Sequence, residues 1–195
     1  MGHYFINQDD LNSDKKEHVV LIKDKKYSFI TDHGVFSKKG LDFGSRLLIE
    51  STLDLNFDHA LDMGCGYGPI GIILKSFNFK AKIDMVDVNH RAIELAKENA
   101  RNNRVTVNVF ESDGFSKIEN QYDLIVTNPP IRTGKKTIYK MFEDAKTHLT
   151  KNGSLFIVIQ KKQGAMSAFK FCQNIYRHVD IVNKKSGYVI IKCCL

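Results

Sequence analysis

The segment Asp62-Met63-Gly64-Cys65-Gly66-Tyr67-Gly68-Pro69 constrains the fold of this chain more than any other. It follows a short apolar run, His59 to Met63, and precedes an apolar stretch with helical spacing, Ile70 to Ser76. Three glycines in that position let the backbone turn through positive φ and let a ligand approach without Cβ interference. A strand, a glycine-rich turn and a helix form the opening unit of an open α/β sheet, and ligands bind at the carboxyl ends of such strands.

The rest of the chain continues this alternation. Strands are expected over Lys82–Val88, Val105–Phe110, Asp123–Thr127 and Leu155–Ile159, with helices over His90–Asn102, Lys136–Leu149 and Ala165–Ile175. Asn152-Gly153 reads as the stop signal of the second of these helices. Val179–Asn183 and Tyr188–Cys193 follow one another without a helix, which implies an antiparallel edge pair turned at Ser186-Gly187. Strands alternating with helices give a mostly parallel sheet covered on both faces. Ahead of it, His18–Ile22 and Tyr27–Thr31 read as a hairpin, and Asp42–Leu53 as a helix. The expected organisation is an appendage over residues 1–55 and one α/β domain over 56–195.

Two carboxylates bear on the ligand. Asp62 lies two residues before Gly64, where it favours a cationic group and disfavours a pyrophosphate. Asp87, 25 residues on at the end of the next strand, can accept from ribose hydroxyls. Gly66 to Gly71 also satisfies GxGxxG, so a nicotinamide or flavin dinucleotide stays open, and with it an oxidoreductase. The sulfonium and ammonium of S-adenosylmethionine suit Asp62 better. Gly64, Cys65, Gly66 and Gly68 would then line that cofactor, Val88 would touch adenine, and Asp113-Gly114 would bind the adenine amino group or make an ordinary turn.

Asn128-Pro129-Pro130-Ile131 follows the fourth strand and bears on the reaction. A base or amide nitrogen is a poor nucleophile because its lone pair is delocalised. Two acceptors for its N–H protons can hold it in line with a methyl group and favour rehybridisation. Asn128 Oδ1 supplies one acceptor and the Pro129 carbonyl the second. The prolines fix φ and remove competing donors. Asn128 borders the cofactor as well as the acceptor.

On these residues the chain resembles the methyltransferase small-domain family, the group related to guanine-N2 methyltransferases of small-subunit (16S) ribosomal RNA. The resemblance also rests on His3-Tyr4-Phe5, Thr31-Asp32-His33-Gly34-Val35-Phe36-Ser37, Leu41-Asp42-Phe43-Gly44-Ser45-Arg46-Leu47-Leu48 and Arg132 after Ile131. It implies a seven-stranded S-adenosylmethionine-dependent methyltransferase fold, mostly parallel with one antiparallel edge strand, and guanine in RNA as the substrate class. Many nitrogen methyltransferases end the tetrad in Tyr or Phe, which stacks on the target; Ile131 cannot. Phe36 is then the expected stacking residue, unless it is buried under the hairpin, and Arg132 a cation–π contact. Larger relatives carry a second, degenerate copy of the domain for RNA binding; here the first 50 residues and surface lysines would serve. A protein glutamine amide or DNA adenine as acceptor, or a noncatalytic RNA-binding module, are the alternatives.

The net charge of +7 suits a polyanionic partner. Lys38-Lys39, Lys135-Lys136, Lys161-Lys162 and Lys184-Lys185 fall at expected strand ends or loops, where they could form a phosphate-binding collar. Four cysteines without CxxC spacing and seven scattered histidines point to no metal site and no disulfide framework. No run reaches the roughly 18 apolar residues of a membrane span, and the start lacks a leader-type apolar region, so a cytoplasmic protein without a membrane partner is expected. The sequence sets no oligomeric state.

Overall fold

The computed structural model of the chain describes residues 13–33, 35 and 40–195. The elements in chain order are β1 (Lys16–Ile22), β2 (Lys25–Thr31), α1 (Phe43–Thr52), β3 (His59–Met63), α2 (Pro69–Phe77), β4 (Lys82–Asp87), α3 (His90–Asn102), β5 (Asn108–Glu111) and β6 (Tyr122–Thr127). A short 3-10 turn, Ile131–Thr133, leads to α4 (Lys135–Thr147), β7 (Leu149–Gln160), a second such turn, α5 (Ala165–Ile175), β8 (His178–Lys185) and β9 (Tyr188–Cys194).

Seven strands form one sheet in the order β5-β4-β3-β6-β7-β9-β8. The first five are parallel, and β9 runs antiparallel to both neighbours, so the expected antiparallel pair at the edge is β8–β9. The central strands are apolar on both faces because helices cover both. Val126, Phe156, Val158 and Ile190 pack toward α1, α2 and α3, while Ile125, Ile157, Ile159 and Ile191 pack toward α4 and α5. α3 shows how the helices earn their positions: Ala92, Ile93, Leu95, Ala96, Asn99 and Ala100 form one buried face, and Asn89 caps the first turn by accepting from Arg91 N–H (3.0 Å) and Ala92 N–H (3.3 Å).

Among the boundaries that differ from the sequence expectation, those of β5, α4 and β7 have a clear physical reason. β5 begins at Asn108, not Val105, because pairing with β4 starts at Asp84–Asn108. The preceding Val105 N–H closes the end of α3 on Ala100 C=O (3.0 Å). Helix α4 stops at Thr147, and Leu149 already pairs with Tyr122. Asn152-Gly153 therefore lies inside β7, at the register shift between Tyr122 and Leu124, and is not a helix stop. A Cβ on Gly153 would lie 2.6 Å from Tyr122 O, so close backbone approach, not helix termination, requires that glycine.

The hairpin β1–β2 is separate from the main sheet, yet Val20, Ile22, Tyr27 and Phe29 join the buried cluster of α1, α2 and α3. The open edge of β2 is met by side chains of α3. Asn99 accepts from Ile30 N–H (2.7 Å) and donates to Ile30 C=O (2.9 Å); Asn103, one turn on, accepts from Ser28 N–H (3.1 Å) and donates to Ser28 C=O (2.7 Å). The i,i+4 rise of a helix, about 6 Å, nearly matches the i,i+2 rise of a strand, about 6.7 Å, so two amides can copy a strand's pairing. Asn99 Nδ2 also donates to Tyr67 C=O (2.9 Å), which ties the hairpin to the glycine-rich turn. Asn99→Ala removes three hydrogen bonds at a fully buried site. It is expected to lower unfolding free energy by about 2–4 kcal/mol in urea titrations, and Asn103→Ala at its half-buried site by less.

Candidate functional site

The carboxyl ends of β3, β4, β6 and β7 share one rim of the sheet, and the side chains expected to carry function gather there. β3 ends at Met63, and the chain turns back beneath itself through Gly64 (φ 73°), Gly66 (φ 57°) and Gly68 (φ 93°) before Pro69 opens α2. The turn is fastened to the next strand: Gly64 N–H and Cys65 N–H both donate to Val86 C=O (2.9 Å each).

The glycines divide by role. A Cβ on Gly64 or Gly66 would meet nothing within 4 Å, so both leave open backbone on the ligand side. A Cβ on Gly68 would lie 2.8 Å from Met85 Cε and 3.2 Å from Ala96 Cβ, so its bareness serves packing between turn, β4 and α3. Cys65 is buried, and burial pushes its thiol well above the usual range.

Asp62 is 1% exposed. Its Oδ2 accepts from Gly71 N–H (2.9 Å) in the first turn of α2, while Oδ1 is buried with no hydrogen-bond partner among the described residues. Burial raises its pKa to about 7, opposed by the Gly71 hydrogen bond and reinforced by the nearby Asp87 charge. Asp87 Oδ2 accepts from Gly66 N–H and Oδ1 from Asn89 N–H (2.9 Å each). Burial raises its pKa too, against the pull of those backbone donors. Two carboxylates beside open backbone make a site with unmet acceptors and an excess of negative potential. A cationic ligand offering N–H and O–H donors fits it. A pyrophosphate does not, because it would add charge of the same sign.

The remaining cofactor-side residues flank this turn. Val88 is half-buried after Asp87, and Asp113 is exposed on the loop beyond β5. Ser112 N–H donates to Asp87 C=O (3.1 Å), and Ser112 Oγ–H to Gly114 C=O (2.7 Å), so the Asp113-Gly114 turn is fixed next to Asp87.

Across the rim, Thr127 Oγ–H donates to Met63 C=O (3.0 Å), joining the ends of β3 and β6 just before Asn128. Asn128 Nδ2 donates to Ser45 Oγ (3.0 Å) and points to Asp42 Oδ1 at 3.5 Å. Asp42 is the N-cap of α1 and accepts from Ser45 N–H (3.1 Å). With its nitrogen held by α1, Asn128 presents Oδ1 away from that helix as an acceptor. Pro129 is buried and Pro130 half-buried. The Pro130 carbonyl is taken by Thr133 N–H (3.0 Å) and Thr133 Oγ–H (2.8 Å). Ile131 packs against the α4–α5 cluster, and Arg132 is exposed on the 3-10 turn. Phe36 lies outside the described residues, as do His3-Tyr4-Phe5 and Lys38-Lys39.

Asp42 and Ser45 were not singled out for the site by sequence reasoning. They entered only as part of the segment Leu41 to Leu48 that carries the resemblance and as the Asp-x-x-Ser spacing of a helix cap, and neither signal speaks of a contact 83 residues away. Among the described residues no group of three or more His, Cys, Asp or Glu could hold a metal ion, and no helix is long and apolar enough to cross a membrane.

Known proteins share this architecture. The chain is 47% identical over 195 residues to the uncharacterized protein YbxB of Bacillus subtilis (strain 168), covering 97% of this chain and 96% of that protein. It is 42% identical over 129 residues to Ribosomal RNA small subunit methyltransferase C of Aliivibrio fischeri, covering 64% of this chain and 38% of that relative, so it spans about two-fifths of the length of such enzymes. A T. thermophilus 16S rRNA N2 methyltransferase, solved with AdoMet and guanosine, superposes with a TM-score of 0.81 at 21% identity, over 92% of this chain and 50% of that one. The methyltransferase small-domain model matches residues 26–192, and with it the glycine turn, both carboxylates and the Asn-Pro-Pro-Ile tetrad. The chain belongs to the methyltransferase small-domain family and has the fold of S-adenosylmethionine-dependent methyltransferases.

Proposed function

We propose that this chain transfers the methyl of S-adenosylmethionine to the exocyclic N2 of a guanine in RNA, with small-subunit ribosomal RNA as the substrate. The observation that carries the reading is the bracing of Asn128 by Ser45 and Asp42, which leaves Oδ1 as a preoriented acceptor beside the cofactor turn. The names of the relatives, which include rRNA small subunit methyltransferases, support the substrate class.

Asp62, the backbone of Gly64 to Gly66 and Asp87 would hold the cofactor, with Val88 and the Asp113-Gly114 turn against its base. Bound there, S-adenosylmethionine supplies a methyl activated by an adjacent sulfonium. The work of the chain is then positional and electrostatic. Asn128 Oδ1 and the Pro129 carbonyl accept the two N2 protons, which turns the nitrogen lone pair toward the methyl. As that nitrogen gains positive charge, the same acceptors stabilise it without reorganising. Its extra proton leaves to water after transfer, so no strong base is needed. Ser45 and Asp42 lock the amide orientation, and a misplaced acceptor costs rate even when the group is still present.

Basic residues around the rim support a polyanionic acceptor. Arg132, Lys135, Lys136, Lys161 and Lys162 are exposed beyond the ends of β6 and β7, and Lys184 and Lys185 are exposed as the last residues of β8. None of them belongs to an ion pair among the described residues, whereas Lys15, Lys16, Lys23, Lys97, Lys117 and Lys140 do. Unpaired lysines on the side of the reaction leave their field available to phosphates.

Labelled S-adenosylmethionine incubated with hypomethylated small-subunit RNA or particles tests the reading directly: the label is expected in N2-methylguanosine. Asn128→Ala should lower the rate at least about 100-fold while cofactor affinity stays near that of the parent; an unchanged rate would remove the mechanism. A second expectation concerns pH. Asp62 binds its proton more tightly folded than unfolded, so between about pH 4 and 7 the ligand-free protein loses stability as pH rises. Asp62→Asn should flatten that part of the stability profile. In the parent, a cationic cofactor should bind more tightly as pH rises through 7 and Asp62 ionises, a gain calorimetry should find missing in Asp62→Asn.

A further inference from the structure

The acceptor side of the rim carries an amide the mechanism has not used. Gln160 ends β7 and pairs with Tyr188 at the start of β9. Phe156 and Val158 face α1, whereas Ile157 and Ile159 face the opposite helices, so alternation carries Gln160 to the α1 side. Leu124 and Val126 bring Asn128 to that side in the same way, and Tyr188 packs there. Thr127 pairs with Ile157, so Gln160 stands further toward the open rim than Asn128 on the adjoining strand. Its Oε1 is screened from water and takes no hydrogen bond among the described residues, an arrangement that disfavours the ligand-free state.

Aromatic rings stand beside it. Phe43 is 37% exposed, although it opens α1 directly after Asp42. Its ring centroid lies 5.5 Å from that of Tyr188. Gly44 is bare because a Cβ would lie 2.7 Å from Tyr188 Cε1, so the helix is brought close against that ring. Phe43, Tyr188, Gln160 and Asn128 thus converge from α1, β9, β7 and the end of β6.

We infer that Gln160 reads the Watson–Crick edge of the acceptor base and that Phe43 with Tyr188 forms the aromatic wall on which this base stacks. The inference rests on the proposed function and deepens it. Guanine presents O6, N1–H and the 2-amino group side by side. A primary amide complements the first two, its N–H donating to O6 and its carbonyl accepting from N1–H, which leaves the 2-amino group to Asn128 and Pro129. Rotation about the terminal side-chain torsion brings either polar atom of the amide to the site. Stacking on Phe43 supplies what Ile131, half-buried against the α4–α5 cluster, does not.

The test titrates guanosine and 2-aminopurine riboside into the full chain with S-adenosylhomocysteine, for the parent and for Gln160→Leu, Gln160→Glu and Phe43→Leu. 2-Aminopurine keeps the amino group but lacks O6 and N1–H. The parent is expected to prefer guanosine about tenfold, and Gln160→Leu to bind both alike with cofactor-product affinity unchanged. Gln160→Glu, isosteric and first checked for the parent's unfolding midpoint, keeps an acceptor for N1–H but loses the donor to O6, so its guanosine affinity should fall below the parent's. Phe43→Leu should weaken both nucleosides equally, and unchanged binding there removes the aromatic wall. A Gln160→Leu protein that keeps the parent's preference overturns the base-reading role alone. Parallel assays on small-subunit RNA separate the two levels: a parent that forms N2-methylguanosine without preferring guanosine overturns this inference only, and one that forms none overturns the proposed function with it.

Discussion

A carboxylate shut away from water must find its partners inside the protein, and Asp62 has found only one. Gly71 N–H satisfies one oxygen, and the other is buried with nothing to accept among the described residues. The rest of the site follows from holding that charge in place. The turn that follows it runs through three glycines of positive φ, and it is held in place because two of its N–H groups are tied to Val86 and a third to Asp87. A carboxylate held this way has a raised pKa and an unmet acceptor, which makes the empty backbone above it attractive to a cation and unattractive to a phosphate.

The second half of the site is built by bracing and not by burial. Asn128 leaves β6 immediately after Thr127 has joined β6 to β3, so its backbone is set relative to the glycine turn. Its side chain is then set by α1, an element far away in the chain. Helix α1 in turn belongs to the core that includes the hairpin, and the hairpin's open edge is closed by Asn99 and Asn103 of α3. Asn99 reaches the glycine turn as well through Tyr67 C=O. Cofactor side, acceptor side and N-terminal elements are therefore one mechanical unit, in which small displacements of α1 would be felt at the reacting nitrogen.

Strand and helix identity was legible because period and punctuation agreed almost everywhere. The apolar run before Gly64, the amphipathic face of α3 and the cap at Asn89 each point to the element that formed. Legibility failed where a local signal had a second use. Asn152-Gly153 has the composition of a helix stop, yet it sits within a strand because Leu149 pairs with Tyr122 and draws the chain into the sheet first. Val105, Thr106 and Val107 are β-branched, yet Val105 and Val107 pack against the core before the backbone reaches its pairing partner on β4. Ile131 stands where an aromatic ring would mark a stacking contact, and it lies half-buried against the α4–α5 cluster instead.

What the sequence alone determined is the chemistry that short spacings encode: a glycine turn between strand and helix, an acidic residue on each side of it, and an acceptor side chain stiffened by two prolines. These are local because backbone φ, capping and strand alternation act over a few residues. What only the tertiary structure decided is the convergence of Asp42, Phe43 and Ser45 with Asn128, Gln160 and Tyr188, drawn from four elements to one end of the sheet. Each of those residues read by itself is a cap, a helix start or a strand end. Their meeting depends on strand order, and strand order is set by how seven strands and five helices bury their apolar faces together, which no window of sequence contains.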